Sequence, residues 1–212
     1  MEKIMTIKGI GKIFVQPDQV MVGFRLVTFN QDYGQVLLES EKKISHLHDL
    51  LKNYDFSEED LKTQHFSVET KEKTEMIDDV WEAELLGYEV VQSLEIQFPL
   101  EQNRLASILK AVAESKISPT IALEFTIGNP EKHEKELLQK AFEDARFQAE
   151  ALATVSGVDL GEIVELKNEV SNGSWIAPMN FQARSNVFQQ TPVMYPKLIE
   201  ESTTITVVWK IK

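Results

Sequence analysis

The chain contains no cysteine. A disulfide framework, a thiolate metal site and a cysteine nucleophile are therefore all excluded. No stretch approaches the roughly 18 consecutive apolar residues that a membrane-spanning helix requires. Positive charge is also scarce: 22 lysines and arginines stand against 34 aspartates and glutamates, a formal net charge of −12. Such a field repels a phosphate backbone, so nucleic acid is not expected as a partner.

Familiar catalytic patterns are missing too. Gly9-x-Gly11 lacks a third glycine and runs into a strand rather than a helix, so it is not a dinucleotide fingerprint. Neither a G-x-x-x-x-G-K-[ST] loop nor a G-x-S-x-G elbow occurs. Of the four histidines, His46 and His48 sit two apart on an expected helix, about 200° around its axis, and cannot share a metal from there. His65 and His133 fall on separate elements. The acidic stretch 69–84 lacks the ligand ladder of a calcium-binding loop. No carboxylate pair stands out among so many acids. The expectation is no catalytic residue, no metal and no cofactor.

What is present is ordinary for a globular chain: 212 residues, 42% hydrophobic and 26% charged. At this length, folding buries about 70% of the surface the unfolded chain exposes. Met1-Glu2-Lys3-Ile4-Met5-Thr6-Ile7-Lys8 enters strand-like alternation, with Lys8 and Lys12 where the apolar core of a secretory signal would continue. A chain not exported by that route, and so cytoplasmic, is expected.

Alternation over 4–15 and 20–28, with Gln16-Pro17-Asp18-Gln19 as a turn, predicts a hairpin. Asn30 is the expected cap of a first helix, striped by Tyr33, Leu37, Ser40, Ile44, Leu47 and Leu51. A strand over 61–70 is anchored by Phe66 and Val68, and a charged tip follows at 69–84, where seven acids outnumber two lysines. The next strand turns Tyr88, Val90, Leu94, Ile96 and Phe98 inward. Leu105, Ile108, Leu109 and Val112 stripe a second helix, and Ile121, Leu123, Phe125 and Ile127 a fifth strand. Asn129-Pro130 starts a long third helix whose expected face is Leu138, Ala141, Phe142, Ala145, Ala149 and Leu152, stopped by Gly157. Strands at 162–167 and 203–211 finish the regular structure.

From 19 to 127 the order is β-α-β-β-α-β, a ferredoxin-like string. The expected fold is α+β, with helices on one face of antiparallel sheet. It is read as a single domain over 1–212 with two lobes, roughly 1–98 and 99–212. Residues 169–201 form a long loop without period, carrying Trp175, Met179, Phe181, Phe188, Met194 and Tyr195. Large apolar groups are costly to leave in water. The loop therefore folds back on its own domain, docks on a neighbouring subunit, or stays disordered. Trp175, Phe181, Phe188 and Tyr195 are the candidate contacts.

Four motifs in order carry a family resemblance. Gly9-x-Gly11 followed by Pro17-Asp18 resembles the opening G-x-G-x-x-x-x-x-P-D signature of SIMPL-domain proteins, also catalogued as DUF541. The stretch Asp60-Leu61-Lys62-Thr63-Gln64-His65-Phe66-Ser67-Val68 is similar to that family's D-I-x-T-x-x-F-x-V strand, and Gly87-Tyr88 to the start of its next one. Residues 141–153, with Asp144-Ala145-Arg146 at their centre and Gly157 to Gly161 beyond, resemble its A-x-x-D-A-R helix. Members of that family include periplasmic or outer-membrane-associated immunogenic proteins, proteins linked to oxidative-stress defence and an animal kinase-associated signalling protein, and some form large ring- or channel-like homo-oligomers. The resemblance implies no catalytic residues to carry over, and the expected lack of a signal peptide departs from the exported bacterial members. In their own right Gly9 and Gly11 permit close approach of a neighbouring backbone. Pro17-Asp18 fixes a turn, and Asp144 and Arg146 each bond a loop or an adjacent subunit rather than one another. The expectation is a non-enzymatic, stress- or envelope-related scaffold that associates with itself. The alternative is a module for an unidentified protein or a small ligand, with 169–201 as its lid.

Overall fold

The computed structural model describes residues 3–77, 80–169, 175–177, 182–184 and 194–212. The chain is α+β, two antiparallel sheets with three helices, and divides into two compact units. One unit comprises Met1–Asp18, Thr126–Ala177 and Pro196–Lys212; the other comprises Gln19–Phe125 and Pro178–Tyr195.

The first unit holds β1 (Ile4–Val15), helix α3 (Pro130–Ser156), β6 (Leu160–Glu169), the two-residue β7 (Ile176–Ala177) and β9 (Ile199–Ile211). Its sheet has the order β1-β9-β6. Helix α3 starts where Asn129 accepts a hydrogen bond from the Lys132 amide, with Pro130 in its first turn. It ends at Gly157, whose φ of 67° suits a residue without Cβ. Its buried stripe is Leu137, Ala141, Ala145, Ala149 and Ala153, whereas the expected Leu138 and Leu152 are exposed. The cause is the surface beneath. Gly9 and Gly11 present bare backbone, and alanines four apart let the helix settle onto it. Ile7, Ile205, Val207 and Trp209 close this core around the alanines.

The second unit runs β2 (Gln19–Asn30), α1 (Tyr33–Lys52), β3 (Lys62–Ile77), β4 (Val80–Pro99), α2 (Gln102–Glu114) and β5 (Thr120–Thr126). Its strands lie in the order β3-β4-β2-β5, and the short β8 (Gln182–Arg184) pairs with β5. Helix α1 covers the face formed by Val20, Val22, Phe24 and Leu26 of β2 and by Leu94, Ile96 and Phe98 of β4, and α2 packs beside α1. On the opposite face Arg25, Val27 and Phe29 are exposed. The cap of α1 is Asp32 rather than Asn30: its carboxylate accepts from the Gln35 amide at 2.7 Å. Asn30 Oδ1 instead accepts from the Asp32 amide. Inside, the Ser40 hydroxyl donates to Gln92 Oε1 at 2.8 Å, which satisfies two buried polar groups at once.

Three further expectations change. β1 and β2 do not form a hairpin with each other: β1 pairs along its whole length with β9, and β2 along its whole length with β4. Each strand thereby gains a twelve-residue ladder, whereas the turn between them contains Pro17, which has no amide to donate. Residues 69–77 and 80–84 of the expected charged tip are paired strand, the far part of the β3–β4 ladder. Phe66 is exposed, because β3 is the edge of its sheet and extends past the helices.

Candidate functional site

Among the described residues, Gly9, Gly11, Pro17, Asp18, Gly87, Tyr88, Asp144 and Arg146 line neither of the two hollows described below. An ideal Cβ on Gly9 would stand 2.1 Å from the Ala141 carbonyl oxygen, and one on Gly11 would stand 2.0 Å from that of Leu137. Asp144 projects from α3 onto the edge of β1, where its Oδ2 accepts from the Ile10 amide at 2.8 Å and from Gln148 Nε2 at 2.8 Å. Gln148 in turn reaches the Lys8 carbonyl at 3.4 Å. Arg146 points to solvent and pairs with Glu150 one turn on, at 2.8 Å. The Asp18 amide donates to the Thr126 carbonyl, and its Oδ1 accepts from the Gly128 amide at 2.7 Å, with Pro17 buried beside it. Gly87 sits at φ 150°, and the ring of Tyr88 meets Tyr33 edge-on at 5.3 Å.

The loop aromatics are split. Trp175 is half-buried: its carbonyl accepts from the Thr126 hydroxyl at 2.6 Å and its ring lies 5.9 Å from His133. Tyr195 is 87% exposed, while its neighbour Met194 is buried and exchanges two hydrogen bonds with the Gln102 side chain. Phe181 and Phe188 lie outside the described residues. Trp175 and Met194 thus pack within their own units, and Tyr195 faces water.

Sequence reasoning missed a second apolar surface. β2 ends opposite Tyr88, so among the described residues 71–77 and 80–87 pair only with each other, a ribbon about 25 Å long. Register places Met76 opposite Trp81, Thr74 opposite Ala83 and Glu72 opposite Leu85, all on one side. Trp81 is 66% exposed, and Met76 and Leu85 are exposed as well. The other side carries Lys73, Glu75 and Glu84, with Lys73 paired to Glu75. The period-two pattern of Trp81-Glu82-Ala83-Glu84-Leu85 was the available signal. Near the root, Lys71 bridges Glu89 at 2.8 Å and Glu69 at 3.3 Å, and those hydrogen bonds push its ammonium pKa up.

Two hollows occur among the described residues of the second unit. One, of about 590 Å³, opens on the helix-free face of the sheet, lined by Gly23, Arg25, Gln64, Ser93, Glu95 and Thr120 among others. The other, of about 300 Å³, lies beside α1 with Glu41, Ser45, His48, Glu58 and Thr63. There His48 Nδ1 is 3.8 Å from Glu58, and Nε2 is buried with no hydrogen-bond partner among the described residues. Burial pushes the carboxyl of Glu201 up, the kind of shift that marks functional sites. Glu201 stands on β9 opposite Ile13, however, and lines neither hollow. In the first unit Lys8 hydrogen-bonds Glu169 at 2.7 Å and holds that carboxyl below its usual range. Among the described residues no three acids or histidines are grouped to hold a metal ion, and no helix is long and apolar enough to cross a membrane.

These features define an α+β protein whose recognisable residues are engaged in packing and whose distinctive surfaces are apolar ribbons and edges. The chain matches, over residues 5–209, the family described as SIMPL, protein of unknown function (DUF541), and belongs to it. It is similar to the Uncharacterized protein YggE of Edwardsiella ictaluri (strain 93-146), 24% identical over 165 residues that cover 77% of this chain and 67% of that one.

Proposed function

We propose that this SIMPL-domain protein works by associating with copies of itself, as a non-enzymatic homo-oligomeric scaffold. The observation that carries the reading is the β3–β4 ribbon, where Trp81, Met76 and Leu85 share one water-facing side. A two-stranded ribbon is marginally stable alone, and an aligned apolar side on it favours cover by another surface. Several motif residues support a scaffold too: Gly9 and Gly11 lie against helix backbone, and Asp18 and Asp144 accept from backbone amides.

Static light scattering at micromolar concentration tests this. The expected mass is an integral multiple of one chain, and a strict monomer at every concentration would overturn it. The second reading, a binding module, draws on the hollow of about 590 Å³, whose size and mixed polar lining suit a small ligand. It is favoured by a monomer whose melting temperature rises with ligand.

A further inference from the structure

We infer that β6 is a self-pairing edge: two copies join their β6 strands antiparallel about a two-fold axis, merging two three-stranded sheets into one of six strands. This rests on the self-association reading and names one contact that would serve it.

The sheet of the first unit has two edges, and they are treated differently. At β1, helix α3 closes the edge from its own side, with Asp144 on the Ile10 amide and Gln148 on the Lys8 carbonyl. At β6, among the described residues, no strand or side chain takes that place. All eight residues from 162 to 169 are exposed, Ile163, Val164 and Leu166 included. An open edge bearing aliphatic side chains is a template for another strand.

Charge selects a second copy as the occupant and fixes the register. The irregular pairing of β6 with β9 is confined to its first half, and from Glu165 to Glu169 the ladder is regular. Glu165 and Lys167 share one face, opposite Val208 and Thr206, while Leu166 is on the α3 side opposite Val207. A two-fold axis through Leu166 sets Leu166 against its counterpart and each Glu165 against the other copy's Lys167. Faces match for these three pairs, which lie in the regular part of the ladder. An axis through Glu165 or through Lys167 sets like charges directly opposite, which destabilises a pair. The ion pair within each strand, Lys167 to Glu165 at 2.9 Å, then joins a square of alternating charges.

Because the chain has no cysteine, one introduced thiol reports on this contact alone. Directly opposed residues of antiparallel strands have Cβ atoms about 4.5–5.5 Å apart, near the span of a disulfide. Leu166→Cys should therefore give a covalent dimer under mild oxidation, reversed by reductant. Phe14→Cys, 59% exposed on the closed edge, should not. Lys167→Glu should weaken dimerisation about tenfold through two repulsive pairs, and Glu165→Lys with Lys167→Glu should restore it. A multimer by light scattering that neither cross-links at 166 nor responds to the charge swap overturns the strand pairing and leaves self-association standing. Equal cross-linking of both cysteine variants also overturns it. A chain that stays monomeric, with β6 free or covered by another segment, overturns both.

Discussion

Gly11→Ala should lower stability by about 3 kcal/mol, near the upper end for overpacking, and lower the melting temperature by about 6–12 °C. The added methyl would meet the Leu137 carbonyl oxygen at 2.0 Å and the Ala141 amide nitrogen at 2.8 Å. Both are helix backbone, so no rotamer change relieves the clash. The helix must lift by more than 1 Å, and lifting it opens the contacts of Ala141 and Ala145 with Ile7, Ile205 and Val207. Interiors packed like crystals do not absorb such a gap cheaply. Gly34→Ala is the control. Its Cβ would come within 3.3 Å of only one atom, the carboxylate oxygen of Asp32, inside a helix that favours alanine. Thermal unfolding followed by circular dichroism separates the two, and an unchanged midpoint for Gly11→Ala would contradict the packing described.

The second large effect is expected at Gly87→Ala, for a different reason. Gly87 has φ 150°, a region that residues with a Cβ rarely adopt, and forcing one there costs about 1–3 kcal/mol. A Cβ would also stand 2.6 Å from the Asn30 carbonyl oxygen and 2.9 Å from the Phe29 ring. Gly87 lies where the ribbon leaves the sheet, beside the register shift between Lys71 and Glu72. It is the bend that aims the ribbon. The variant should lose about 3 kcal/mol in chemical denaturation. If the ribbon carries self-association, the variant should also shift the mass seen by light scattering toward the monomer. Wild-type stability would mean that the backbone there tolerates a side chain.

Much of the second unit was legible because its signals are local. Leu105, Ile108, Leu109 and Val112 are all buried on α2, and Ile121, Leu123, Phe125 and Ile127 are all buried in or beside β5, as their spacing demands. Strand partners were not legible. β1 pairs with β9 from the far end of the chain, and alternation states which face is buried without stating what lies beside it. The α3 face was misread for a related reason. Periodicity weights large side chains, so Leu138 and Leu152 looked internal, yet the surface opposite is glycine and selects alanine. Asp144 was recognised as a motif residue, but its partner is the Ile10 amide, a group every non-proline residue has and no sequence marks. The apolar side of the ribbon was written in the alternation of 81–85. It was overlooked because the surrounding acids read as a solvated tip.

The central claim is that three of the motif residues, Gly9, Gly11 and Asp144, lock α3 onto β1. Amide hydrogen exchange at Ile10 tests it most directly. An outward-facing amide on an edge strand ordinarily exchanges quickly, because nothing but water is there to accept its proton. With Asp144 accepting that hydrogen bond, the Ile10 amide should exchange as slowly as amides within the β1–β9 ladder, and Asp144→Ala should release it selectively. Fast exchange at Ile10 in the native chain, or slow exchange untouched by the substitution, would contradict the account.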